Sequence, residues 1–77
     1  LRTVVIDAGH GGKDPGCIGR ARVQEKAVNL KLALALGKRI REEMPGVKVI
    51  YTRSTDRFIE LDERGAIANR NRADLFI

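Results

Sequence analysis

The sequence predicts an α/β fold: strand-helix-strand-helix-strand crossover units of a mainly parallel sheet flanked by helices, incomplete at the C-terminus. Three observations carry this. Short β-branched runs, "TVVIDAG" and "VKVIYT", open and divide the chain. A long stretch between them bears apolar residues at helical spacing. The final "ADLFI" begins a third apolar run that stops with the chain.

Thr3 to Gly9 is a β-branched run ended by glycine, which reads as a buried strand. The next dozen residues are rich in glycine and form a long loop. From Glu25 the pattern changes: Val28, Leu32, Leu36, Ile40 and Met44 recur every four residues, with Leu30 and Leu34 widening the stripe. That spacing predicts a helix with this stripe turned inward. Gly37 costs it about 1 kcal/mol relative to alanine, which points to close packing against a neighbour there. Pro45-Gly46 ends the helix. Val47 to Thr52 is the second strand and "STDR" the turn that leaves it. Leu61 to Arg72 follows as a second helix, with Leu61, Ile67 and Ala68 facing inward and Asp62 and Glu63 in a first turn where the helix dipole favours them. Asp74 to Ile77 begins the third strand.

The chain has 77 residues, 43% of them hydrophobic and 32% charged, a composition that fits at most one domain. A chain this short buries only roughly 60% of its unfolded surface, and the single Cys17 cannot form an internal disulfide. It opens on Leu1 and stops inside an apolar run, so residues 1–77 are expected to be an excised piece of a single domain. No run approaches the ~18 apolar residues of a membrane span. The net charge of +5 favours anionic partners, but the basic residues are scattered, and three aromatic residues do not make a stacking platform for nucleic acid.

Ligands of open α/β sheets bind beyond the carboxyl ends of the strands, and His10, the one histidine, follows the first strand directly. The glycine-rich loop around it fails both phosphate-binding patterns. The dinucleotide pattern counted from Gly9 meets Asp14 where glycine is required. The P-loop pattern around Gly12-Lys13 meets Asp7 and Asp14 at its fixed positions. Metal is the next candidate, because glycines at 9, 11 and 12 leave the imidazole open and Glu25 offers a hard oxygen that the loop could return to the same spot. Two ligands do not complete a site, and no spacing rule recruits Cys17 or Asp14. A capping His10 and a dipole-stabilised Glu25 remain open readings on spacing alone. Cys17 reads as a small buried or half-buried residue. Arg53, Arg57 and Arg64 read as carboxylate-binding, ion-pairing or solvated groups, and Asp56 as a turn or cap residue.

Taken in order, "IDAGHGG-DPG", the "EK--N" that opens the helix, the "TR--D" after the second strand and the "L--R---AN" of the second helix resemble the zinc-dependent N-acetylmuramoyl-L-alanine amidases, type 3, over essentially the whole chain. The resemblance implies a Zn2+ cofactor with His10 as first metal ligand and Glu25 as second. A third ligand, a histidine, and a catalytic glutamate are implied beyond Ile77, so no catalytic residue lies within this chain and the 77 residues are the N-terminal portion of a catalytic domain. It further implies hydrolysis of the amide between N-acetylmuramic acid and L-alanine, peptidoglycan as substrate, and work in the cell envelope, periplasmic or extracellular. One departure is Glu60, where a capping Ser or Thr is expected. The rival reading is a non-catalytic module that holds an anionic cell-wall polymer on its basic surface.

Overall fold

A computed structural model describes residues 2–77. Its elements run β1 (Thr3–Ile6), α1 (Glu25–Glu43), β2 (Lys48–Tyr51), α2 (Leu61–Arg70) and β3 (Leu75–Phe76), with a one-turn 3-10 segment at Arg20–Arg22 broken by the left-handed Ala21. The strands form one parallel sheet in the order β2-β1-β3. In register, Thr3 faces Lys48 and Ile6 faces Tyr51 on one side of β1, while Val4 faces Leu75 and Val5 faces Phe76 on the other. The expected α/β crossover architecture is the one observed.

The central position of β1 explains its composition. A strand covered on both faces reads as a continuous apolar run, and Val4, Val5, Ile6 and Ala8 are all buried. Alternation sends Val4, Ile6 and Ala8 to one side, where they pack with Ala33 and Ile40 of α1, edged by Leu30, Val49 and Tyr51. Val5 and Asp7 turn to the opposite side, where Arg64 of α2 reaches Asp7. Asp74 pins the open end of the sheet by accepting the backbone N–H groups of Arg2 and Thr3 at 2.9 Å each.

Gly37 packs as its position foretold. A Cβ there would overlap the ring and hydroxyl of Tyr51, so the missing side chain lets β2 and α1 close on each other. Two expectations about the helices are corrected. On α1 the buried seam is Ala33, Gly37 and Ile40, while Val28, Leu32, Leu36 and Met44 are exposed, Leu32 to 63%. A three-stranded sheet is narrower than the helix's apolar arc, so it covers the residues at the arc's centre, Ala33, Gly37 and Ile40, and leaves those at its margin uncovered. On α2, Ile67 and Ala68 are half-buried as expected, but Leu61 is 83% exposed and the buried residue is Arg64. Leu61 stands at the rim of a groove beside His10 rather than over the sheet.

Candidate metal centre

His10 lies four residues past the end of β1, in a left-handed backbone conformation with φ of 61°. For a residue with a Cβ this costs about 1–2 kcal/mol and persists only where surrounding bonds enforce it. The loop then turns back on itself through paired bonds between the backbones of Gly11 and Asp14 at 2.7 and 2.9 Å. This turn delivers Asp14 to the histidine ring, where its Oδ2 lies 2.9 Å from His10 Nδ1. Sequence spacing did not single out Asp14. Its place four residues after the histidine, across a glycine turn, was the available signal.

Glu25 arrives from the other direction as the first residue of α1. The loop between them closes by an antiparallel bridge from Ile18 to Gln24, and Glu25 donates its own N–H to the Cys17 carbonyl at 2.9 Å. Its Oε1 accepts the Cys17 N–H at 2.9 Å, leaving Oε2 3.1 Å from His10 Nε2. The two residues singled out from the sequence therefore meet across fourteen intervening positions. Cys17 is corrected: its side chain is exposed, because what the site uses is its backbone.

The charges fit this arrangement. The hydrogen bond that His10 donates to Asp14, with the negative charges of Asp14 and Glu25, holds the imidazole above its ordinary value of 6.5. The same histidine bond and the Gly16 N–H lower Asp14, while the Cys17 N–H, ahead of His10, lowers Glu25. The three side chains form a row, with Asp14 Oδ2 and Glu25 Oε2 flanking the imidazole at 2.9 and 3.1 Å. Once Nε2 is deprotonated it has a free lone pair, while Nδ1–H donates to Asp14. That is the usual device by which a carboxylate fixes the tautomer of a metal-binding histidine.

The donor set suits zinc. Tetrahedral Zn–N and Zn–O bonds of about 2.1 Å would separate two ligand atoms by roughly 3.4 Å, near the 3.1 Å between Nε2 and Oε2. Gly16, with φ of 69°, passes so close beneath both side chains that a Cβ would lie 2.7 Å from Glu25 Oε1 and 2.7 Å from His10 Cδ2. Among the described residues no group of three His, Cys, Asp or Glu side chains gathers around one point.

The floor of the site is built by residues that the sequence suggested were mainly solvated or ion-paired. Arg53 and Arg64 are each 4% exposed. Arg53 donates to the carbonyls of Ala8, Gly9, Lys26 and Thr55 at 2.8 to 3.0 Å. Arg64 donates to the carbonyls of Ile59, Ala8 and His10 and to Asp7 Oδ1, the last at 2.6 Å. Burial, and next the charge of Arg64, push Arg53 below its ordinary value. Thr52 completes the set, its hydroxyl donating to Asp7 Oδ1 at 2.8 Å and accepting the Ala8 N–H. Asp56 ties two loops together, accepting from Gly12 N–H at 2.7 Å and Lys26 Nζ at 2.9 Å, while α2 starts at Glu60 without a side-chain cap. An open groove of about 390 Å³ runs past His10 and Asp14, walled by Phe58, Ile59 and Leu61.

Comparison with known proteins places this geometry in context. A family profile described as N-acetylmuramoyl-L-alanine amidase matches residues 4–77. The chain is 40% identical to the sporulation-specific N-acetylmuramoyl-L-alanine amidase of Bacillus subtilis over 96% of its own length and 29% of that protein's. It is 43% identical to the amidase AmiC of Escherichia coli, over 96% of its length and 18% of the relative's. Among solved structures, the catalytic domain of the amidase CwlV from Bacillus (Paenibacillus) polymyxa superposes with a TM-score of 0.89 at 43% identity, covering 99% of this chain and 42% of that one. The chain thus spans less than half the length of each of these relatives.

Proposed function

The chain belongs to the N-acetylmuramoyl-L-alanine amidase family, and from that membership we propose that residues 1–77 are the N-terminal portion of a zinc-dependent catalytic domain. The protein that carries it hydrolyses the amide between N-acetylmuramic acid and L-alanine in peptidoglycan, in the cell envelope. The observation that carries the metal reading is the convergence of His10 Nε2 and Glu25 Oε2 at 3.1 Å over Gly16. His10 and Glu25 are the proposed ligands. The third ligand, a histidine, and the glutamate that moves the proton are proposed to lie beyond Ile77.

When bound, zinc supplies a water acidified toward a pKa of about 7 and polarises the scissile carbonyl. This chain's residues supply the setting. Asp14 keeps the His10 proton on Nδ1 and thereby orients Nε2. The Cys17 N–H anchors one carboxylate oxygen of Glu25, so the other is the one presented. The groove beside His10, with Phe58 and Leu61 on its wall, gives a substrate room to approach that side of the ligand pair.

The test is made in the whole protein with purified peptidoglycan and a bound-zinc assay. His10→Ala and Glu25→Ala are expected to lose stoichiometric zinc and nearly all release of stem peptide, and a chelator is expected to silence the wild type. Full activity and one zinc per chain in either variant would refute the assignment. The isolated 77 residues, holding two proposed ligands, should hydrolyse nothing and bind zinc only weakly. Tight one-to-one zinc in a titration of that segment would contradict the proposed division of the site.

A further inference from the structure

We propose that Arg64, together with Arg53, is a positioning residue for His10: the two guanidiniums grip the backbone carbonyls on which the histidine's strained conformation depends. The inference rests on the metal-ligand role proposed above for His10. After β1 ends, the carbonyls of Ala8, Gly9 and His10 point away from the strand ladder into the protein, where an unpaired acceptor is costly. The two arginines take all three. Ala8 receives Arg53 Nε and Arg64 Nη1, both at 2.8 Å. Gly9 receives Arg53 Nη2 at 2.8 Å, and a longer bond from Asn29 Nδ2 at 3.2 Å. His10 receives Arg64 Nη2 at 2.8 Å.

The geometry requires a fork. Arg64 holds Ile59, Ala8, His10 and the Asp7 carboxylate with three nitrogens of one rigid plane, so the first turn of α2 is locked to the loop that bears the histidine. A lysine ammonium at the same place keeps the charge but cannot span acceptors set that far apart. Arg53 performs the same task from the α1 side, linking Ala8 and Gly9 to the Lys26 carbonyl, one residue beyond Glu25. The chain neighbours of both proposed ligands, Gly9 before His10 and Lys26 after Glu25, are therefore bonded to one buried guanidinium. The left-handed backbone of His10, φ 61°, is the conformation these bonds hold, and relaxing it would swing the imidazole off the line to Glu25.

The experiment uses the whole protein with Arg64→Lys and Arg53→Lys. It reads zinc affinity by chelator competition, the d–d absorption of the Co2+-substituted site, kcat and KM on peptidoglycan, and thermal unfolding of the metal-free form. The expected result for Arg64→Lys is a cooperative fold, zinc affinity lower by on the order of 10- to 100-fold, an altered Co2+ spectrum, and a loss carried by kcat rather than KM. A variant that melts earlier yet binds zinc with wild-type affinity and an unchanged Co2+ spectrum would show that Arg64 serves the fold alone, and would overturn the proposal. Should Arg64→Lys fail to fold, Arg53→Lys, which breaks no ion pair, is read by the same criteria. If the wild type itself holds no metal that depends on His10, the ligand assignment has failed rather than this one.

Discussion

At the scale of single residues, His10 is controlled from its backbone and from both ring nitrogens. Asp14 on Nδ1 is the residue whose removal isolates orientation from ligation: Asp14→Ala leaves both proposed ligands in place and should weaken zinc by on the order of 10- to 100-fold in a chelator competition. Wild-type affinity would mean the carboxylate does not fix the tautomer. The metal-free protein offers a second check through pH. His10 is raised above 6.5, so the stability it contributes is complete below 6.5 and disappears as pH rises through its folded value. Asp14 and Glu25 are lowered from 3.8 and 4.5, so their contribution is complete above those values and disappears as pH falls through the folded ones. The row as a whole supports the fold best between pH 4.5 and 6.5. Proton NMR should find the His10 ring titrating above 6.5 in the wild type and moving downward in Asp14→Ala. A titration unmoved by the substitution would remove Asp14 as the cause.

At the scale of elements, the contact between α1 and β2 depends on an absent side chain. Gly37→Ala improves helix propensity by about 1 kcal/mol, yet it drives a methyl into the Tyr51 ring, which is also engaged by Arg41 through the hydroxyl and across the ring face. The net effect should be a loss of about 1–3 kcal/mol in urea unfolding, with part of it recovered by adding Tyr51→Val. An alanine variant as stable as the wild type would mean that the strand and helix separate at little cost. Asp74 joins β1 to the start of β3, and the N–H groups of Thr3 and Arg2 lower its carboxyl from 3.8. Its support is therefore present above pH 3.8 and lost as pH falls through the lowered value. Asp74→Ala should flatten the acid limb of a plot of Tm against pH, and an unchanged limb would exclude this bond as a contributor.

At the scale of the molecule, the described chain is a slab of 39 × 27 × 15 Å with a radius of gyration of 12.9 Å, against about 11.5 Å for a compact chain of this length. One three-stranded sheet cannot hide the apolar arc of α1, and Val28, Leu32, Leu36, Leu75, Phe76 and Ile77 are all exposed. Surface of this kind promotes association. The 77-residue segment expressed alone should bind a hydrophobic dye and elute larger than a monomer. A monodisperse monomer that excludes the dye would show that these side chains repack against one another in solution.

The order of elements was legible because period and punctuation are local: β-branched runs, a helical repeat stopped by Pro45-Gly46, and a glycine where β1 turns out toward His10. The pair His10 and Glu25 was legible as a residue order, and their approach across the loop is the point at which sequence order and geometry coincide. Three things were not legible. The acceptor of the histidine proton, Asp14, depends on how a glycine turn folds back. The inward side of α1 depends on the width of the sheet beneath it. The burial of Arg53 and Arg64 depends on three carbonyls left over at the end of a strand, which no spacing in the chain announces. Sequence by itself determined the alternation of strand and helix, since that follows from local periodicity and residue type, and the order of its motifs is what proposed His10 and Glu25 as the ligand pair. Tertiary structure alone decided which charges are buried, because burying a guanidinium is affordable only where unpaired carbonyls from distant segments have been brought to meet it.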